Sequence, residues 1–297
     1  MIQEKDLPQA YKDAMKDLLK EDYDAYIKSL EKKPYSGIRT NLLKLTPKRL
    51  KEILDRDFKK VPWVNEGFYF EEEKGVLSSP TLSENPKIKS ISKNPYYFAG
   101  LYYIQEPSAM TPAMAAGIVP GDKVLDLCAA PGGKSFLLAD KIDNEALIYS
   151  CDVSENKVNL ITENAKVQGF KNIIPLVADA RVFDERFAES DLVLADLPCS
   201  GIGIIGKKPD IKYRLNAENM ISLAALQKEI LDNVSQYVKI GGELIFSTCT
   251  LNKAENEENV SLFLKNHSNF KAVDLTKRLK STLIEKFDKD ELKKGVS

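Results

Sequence analysis

Histidine is almost missing from this chain of 297 residues. The only one, His267, sits in the polar stretch NHSN and reads as an ordinary surface residue. A reaction needing an imidazole base would have to use it, which argues against Ser-His-Asp chemistry. Cysteine is sparse as well. Cys128, Cys151, Cys199 and Cys249 show neither CxxC spacing nor a neighbouring histidine, so a zinc site has no support. In a reducing compartment they are expected to be free thiols, and no metal is expected. Neither charge dominates: 43 Lys and Arg stand against 44 Asp and Glu. That balance excludes a globally basic, histone-like binder and leaves room for a local basic surface. No run approaches the roughly eighteen consecutive apolar residues that read as a membrane-spanning helix. The N-terminus carries acids where a signal peptide would be apolar. A cytoplasmic protein without membrane contact is the expectation. Repeats and low-complexity tracts are absent.

What is present is enough apolar sequence, 43% of residues, for one large α/β domain and a smaller companion. Between residues 5 and 32, Leu7, Tyr11, Met15, Leu18, Tyr23, Tyr26, Ile27 and Leu30 recur at helical spacing. IRTNLLKL (38–45) predicts a strand, and Thr46-Pro47 predicts the start of a helix running to about Asp57. VPWVNEGFYF adds further β-type sequence. The first hundred residues are therefore expected to form a small α+β module. From Val124 onward, apolar runs (KVLDLCA, ALIYSCDV, NIIPLVA, DLVLADLP and ELIFSTCT) alternate with helical segments near 134–141, 154–168, 217–237 and 254–265. Short runs of this kind suit strands covered on both faces, and the alternation predicts a doubly wound, Rossmann-like α/β fold with a parallel sheet. The domains are expected at 1–98 and 99–297.

Ligands of such sheets bind at the carboxyl ends of the strands. VLDLCAAPGGKS runs from a strand through Gly132-Gly133 into a helix, a turn at which backbone N–H groups can approach a ligand closely. Asp152 ends the next strand, nineteen residues after Gly133, where an acid accepts hydrogen bonds from a ribose diol. Asp179 ends the third strand and could hold an adenine amine. Asp196 ends the fourth, facing the same crevice. GGKS resembles the end of a phosphate-binding loop, but GxxxxGK[ST] would need glycine at Cys128, and GxGxxG is absent. The crevice suits an adenosine ligand without a pyrophosphate.

Pro198-Cys199-Ser200-Gly201 follows strand four and Thr248-Cys249-Thr250 follows strand five. Neighbouring strands lie about 5 Å apart, so both thiols could face one pocket beside the ligand. A lone cysteine at a buried strand end is usually a small packed hydrophobe, which is the reading for Cys128 and Cys151. A pair in these contexts favours function. Carbon 5 of cytosine is a poor nucleophile; a thiolate adding to carbon 6 turns the ring into an enamine whose carbon 5 can attack a methyl sulfonium. Asp196 could bond the N3/N4 edge of the base, and the second cysteine is a candidate to help remove the carbon 5 proton. Nearby cations such as Lys134 would favour the thiolate. Position alone does not say which cysteine attacks.

LDLCAAPGGKS, CDVSENKV, ADLPCSGIGIIGKKPDIKYR and LIFSTCTLNKAENEENV, together with SGIRTNLLKL, EGFYF and AGLYYIQEPSAM upstream, resemble the NOP/Sun family of S-adenosylmethionine-dependent RNA cytosine-C5 methyltransferases, over roughly residues 5 to 270. The resemblance implies that Cys249 is the nucleophile and that Cys199 promotes release of the methylated RNA. It also implies that Cys128, Ala129, Ala130, Pro131, Gly132, Gly133, Lys134, Asp152, Asp179 and Asp196 contact S-adenosylmethionine. The loop Lys207-Lys208-Pro209-Asp210, with Arg39 and Asn41, would meet RNA. Tyr96, Tyr97, Phe98, Tyr102 and Tyr103 read as domain-interface core before base-stacking platforms. Family members finish with a further strand carrying a DGFF-like sequence, whereas this chain passes NFKAVDL and runs through charged residues to Ser297. The final strand of the sheet is thus in question. A target base must be single-stranded or flipped. The expected partner is an RNA, ribosomal favoured over transfer, bound by a monomer. Competing readings are an RNA-binding ribosome-assembly factor with impaired catalysis, and a small-molecule methyltransferase, which would have no use for either thiol.

Overall fold

A computed structural model describes residues 2–56, 58–70, 91–214 and 216–279. The apolar stripe of the first thirty residues folds as α1 (Gln9–Leu19) and α2 (Tyr23–Leu30). The strand β1 (Ser36–Thr40) follows. It stops earlier than the sequence predicts, because Asn41 turns the chain: its Oδ1 accepts the N–H of Leu43 at 3.1 Å. The leucines of LLKL therefore lie in a turn. Thr46 caps α3 (Pro47–Leu54) by accepting the N–H of Arg49 at 3.2 Å. Asp55, in a left-handed conformation, ends that helix short of the expected boundary. Next come β2 (Lys59–Lys60), β3 (Gly67–Phe70), α4 (Pro95–Phe98) and β4 (Tyr102–Ile104). They form an antiparallel sheet in the order β2-β3-β1-β4, closed over Ile38, Leu50, Phe68 and Tyr102. Because β4 belongs to this sheet, the first module reaches past the expected boundary at residue 98.

After α5 (Thr111–Ala115) the second sheet begins. Its elements are β5 (Lys123–Asp126), α6 (Gly133–Lys141), β6 (Leu147–Asp152), α7 (Glu155–Gln168), β7 (Ile173–Val177), β8 (Ser190–Asp196), α8 (Ile211–Arg214), α9 (Ala217–Val234), β9 (Val238–Ser247) and α10 (Glu257–Asn266). All pairings are parallel, in the order β7-β6-β5-β8-β9. Alternate residues of one strand serve opposite cores. Val124 packs with Phe136, Leu138 and Ile161 of α6 and α7, while its neighbour Leu125 packs with Ile230, Leu231 and Val234 of α9. Helices on both faces explain why these strands read as unbroken apolar runs. The fold is the expected α/β class. This sheet has five strands among the described residues; the charged tail 280–297, which bears on the expected missing strand, lies outside them.

The two modules share buried contacts. Tyr103 meets Phe136 edge-on at 5.5 Å between centroids. Asn41 Nδ2 donates to the carbonyls of Gly100 (2.8 Å) and Gln168 (2.7 Å). Lys44 Nζ donates to those of Ala99 (2.7 Å) and Val167 (2.6 Å). Arg39, 1% exposed, pairs with Asp140 of α6. The N-terminal helices do not sit on their own sheet: Tyr11, Met15 and Ile27 pack on Ile202 and Ile205, a few residues beyond Cys199.

Candidate active site

The order β6-β5-β8-β9 brings four strand ends to one edge. After β5 the chain passes Cys128, Ala129, Ala130 and Pro131 into a tight turn, in which Gly132 N–H donates to the Ala129 carbonyl at 2.6 Å. Gly132 has φ +106°, and a Cβ there would lie 2.2 Å from the ring of Phe136, so only glycine fits. Ser135, in the first turn of α6, donates to Asp126 at 2.7 Å, and Ser150 of β6 donates to Ser135 at 2.8 Å. The helix start is thereby stitched to both strands. Lys134 points across to Asp196 at the end of β8, with Nζ 2.5 Å from Oδ2. Ser247 of β9 donates to the other oxygen of Asp196 at 2.6 Å.

Asp152, at the end of β6, accepts the N–H of Ser154 at 3.1 Å and lies 3.4 Å from Lys157 Nζ; Val153 beside it is exposed. Asp179 lies two residues beyond β7. Both of its oxygens accept from Arg181, the shortest bond being 2.6 Å, and this holds its carboxyl below the usual carboxylate range. The capacity expected for an adenine amine is therefore partly taken.

The register of the last two strands decides where the thiols go. Asp196 is level with Ser247, so Cys199 and Cys249 leave neighbouring strands within a residue of the same height. Their sulfurs are 3.1 Å apart, and the N–H of Cys249 donates to Cys199 Sγ at 3.2 Å. The hydrogen bond from Cys199 pulls Cys249 down to about 7, helped by Lys208 and Lys134 and opposed by burial and Asp196. The Cys199 thiol is raised, chiefly by the same bond and then by burial. Cys128 and Cys151 are pushed up to about 12, mainly by burial. Beside the sulfurs opens a cavity of about 470 Å³, lined also by Lys208, Arg214, Asn219 and Met220.

These differences carry an expected result. Iodoacetamide reacts with thiolates, so labelling of Cys249 should rise with pH through about 7, while Cys128 and Cys151 stay unlabelled below pH 9. Peptide mass spectrometry over a pH series reads this directly; equal labelling of all four thiols would contradict it.

Several expectations need correction. Arg39 and Asn41 cannot meet RNA. Both are 1% exposed, Arg39 paired with Asp140 and Asn41 spent on the carbonyls of Gly100 and Gln168. Lys207 forms an ion pair with Glu106, and desolvation of its ammonium lowers it to about 8. From that loop, Lys208 and Asp210 line the cavity. Of the five aromatics, Tyr102 and Tyr103 are buried and Tyr97 packs on Tyr102 at 5.8 Å, whereas Tyr96 and Phe98 are exposed. His267 is half-buried, stacked on Phe263 at 4.2 Å between centroids. Sequence reasoning does not single out Ser200, Ser247, Thr250, Glu255 or Asn256, which surround the cysteines. Ser200, Ser247 and Thr250 lie inside the two cysteine motifs without standing out there, and the only trace of Glu255 and Asn256 is the polar run AENEEN after the last strand. Among the described residues no group of three or more His, Cys, Asp or Glu could hold a metal, and no helix is long and apolar enough to cross a membrane.

Residues 113–292 match the family described as 16S rRNA methyltransferase RsmB/F, and residues 7–107 match the N-terminal domain of 16S rRNA methyltransferase RsmF. The chain belongs to the RsmB/F family. Among curated relatives, it is 38% identical over 213 residues to the probable ribosomal RNA small subunit methyltransferase B of Bacillus subtilis (strain 168), covering 70% of this chain and 47% of that protein. It is 33% identical over 250 residues to the ribosomal RNA small subunit methyltransferase F of Enterobacter sp. (strain 638), covering 82% and 49%. The chain thus spans about half the length of the curated relatives it matches. A solved methyltransferase homolog protein from Pyrococcus horikoshii superimposes with a TM-score of 0.73 at 31% identity, covering 87% of this chain and 79% of that one. Membership of RsmB/F fits the strand order and the paired strand-end thiols described above.

Proposed function

We propose that this RsmB/F chain methylates carbon 5 of a cytosine in RNA, with small-subunit ribosomal RNA as the favoured substrate and S-adenosylmethionine as methyl donor. The observation that carries the proposal is the contact between the sulfurs of Cys199 and Cys249, 3.1 Å apart at the ends of adjacent strands. O- or N-methylation of a small molecule would use neither thiol. The relatives, ribosomal RNA small subunit methyltransferases by name, support ribosomal RNA over transfer RNA.

The chain's own residues fit the donor. Carboxylates at the ends of β6 and β8 flank a glycine turn whose N–H groups head α6, a set suited to a ribose diol and a cationic sulfur. Val153, exposed beside Asp152, offers an apolar surface to a purine. In this reading Cys128 to Lys134, Asp152, Asp179 and Asp196 hold the donor, which when bound supplies an electrophilic methyl group on a sulfonium.

The remaining chemistry falls to protein side chains. The Cys249 thiolate adds to carbon 6, forming an S–C6 bond and moving the ring's electrons toward carbon 5. Asp196, held between Lys134 and Ser247, faces the base edge and stabilises the adduct. After methylation carbon 5 still carries a proton, which must leave before the S–C6 bond can break. Cys199 is the group placed to assist that step. Lys208 and Arg214 at the cavity provide cations for RNA phosphates. The match to residues 7–107 supports dividing the domains near there rather than at 98.

The test incubates the protein with methyl-labelled S-adenosylmethionine and either small-subunit ribosomal RNA or transfer RNA, followed by nucleoside analysis. Label in 5-methylcytidine from ribosomal RNA is expected. Label confined to transfer RNA would move the substrate, and label in an O- or N-methylated product would overturn the reaction.

A further inference from the structure

Two consecutive residues, Glu255 and Asn256, grip the two cysteine loops. Glu255 is 0% exposed, yet it carries a carboxylate. Its Oε2 accepts the N–H of Ser200 at 2.8 Å and Gln227 Nε2 at 3.2 Å; its Oε1 accepts Asn252 Nδ2 at 2.9 Å. The same Gln227 Nε2 donates to the Pro198 carbonyl at 2.8 Å. Both neighbours of Cys199 are therefore fixed through Glu255 and its partner. Asn256 does the equivalent for Cys249. Its Oδ1 accepts the hydroxyl of Thr248 at 2.5 Å, and its Nδ2 donates to the Thr250 carbonyl at 3.0 Å. The loops are also tied to each other, by a 2.6 Å contact between the hydroxyls of Ser200 and Thr250 and by Gly203 N–H donating to the Cys249 carbonyl at 3.1 Å.

Burying a carboxylate against neutral donors is costly, and an apolar side chain would fill that volume more cheaply. A role in stability alone does not account for the choice of residue. We infer that Glu255 and Asn256 are positioning residues that set the separation of Cys199 from Cys249, so that the nucleophile and the releasing thiol act on the same adduct. The inference rests on the reading of the cysteine pair proposed above. Neither side chain touches the reacting atoms; each acts through the backbone flanking a sulfur. Loosening either grip should leave Cys249 able to attack and Cys199 too far away to complete release. The signature is a trapped intermediate, which simple loss of folded protein would not produce.

The first arm of the test needs no RNA. Diamide oxidises two adjacent thiols to a disulfide, taking up their two hydrogens on its azo nitrogens, and the Cys199–Cys249 linkage is quantified by peptide mass spectrometry. In the wild type the linkage should form readily. Glu255→Ala and Asn256→Ala should each slow it about tenfold or more, the scale of a lost hydrogen bond to a buried charged or polar group. Glu255→Gln, which keeps an oxygen for the Ser200 N–H, should remain within about threefold of wild type. Linkage at the wild-type rate in both alanine variants overturns the inference. Should Glu255→Ala fail to fold, as judged by circular dichroism, the half-buried Asn256→Ala carries the test alone.

In the second arm, with RNA and S-adenosylmethionine, the alanine variants should lower kcat with KM retained and accumulate a covalent protein–RNA species. Turnover loss without that species overturns the inference. A normal disulfide pattern combined with no methylation by wild type would instead remove the proposed function and leave the clamp standing.

Discussion

Cys249→Ala is expected to lose methyl transfer by about 10⁴-fold or more, the scale on which removal of a covalent nucleophile acts. In the proposed reaction, carbon 5 of cytosine attacks a methyl group only after sulfur has added to carbon 6. The second thiol, 3.1 Å away, serves the later release step there and does not replace the attacking one. Cys199→Ala should behave differently. The attacking sulfur and the methyl donor site remain, while the group beside the adduct is gone, so the protein should accumulate on RNA as a species that survives denaturing electrophoresis. Single-turnover methylation and gel shift on the same samples separate the two outcomes. Label delivered by Cys249→Ala at the wild-type rate would falsify the mechanism.

Arg39→Ala should cost about 3–5 kcal/mol of unfolding free energy, the range for breaking a buried ion pair from one side. The guanidinium is 1% exposed and joins β1 to Asp140 of α6, tying the first module to the second. Its removal leaves Asp140 buried without a counter-charge. Burial already pushes Asp140 up to about 6 against the pull of Arg39, and the variant takes that pull away. A carboxyl whose folded pKa is raised favours folding below its unfolded value and loses that contribution as pH rises through the folded one. The deficit in Arg39→Ala should therefore shrink between pH 8 and pH 5, as Asp140 takes up a proton. Urea denaturation at the two pH values measures this. A double replacement, Arg39→Met with Asp140→Leu, should recover most of the loss.

The legibility of this molecule in its sequence follows the range of the contacts. Strands β5 to β9 are covered on both faces, so each reads as an apolar run, and the acids and thiols that end them stand out against it. Adjacency of the last two strands was enough to bring Cys199 and Cys249 to one place. Arg39 misleads for the opposite reason. The family resemblance offers this basic residue to RNA until Asp140, far along the chain, is folded against it. Asn41 in IRTNLLKL sits among strand-forming neighbours, and the turn shows only once its Oδ1 takes the Leu43 N–H and its Nδ2 is held by Gly100 and Gln168. Glu255 and Asn256 are less visible still. Their partners come from β8's loop, α9 and the segment after β9, and no local period joins those.

The helices at the front of the chain stand on Ile202 and Ile205, in the loop that follows Cys199. Severing the protein between its two sheets would thus do more than detach a recognition module. The half with the parallel sheet would be left with an oily scar beside Cys199, and the front half would lose the floor beneath its helices.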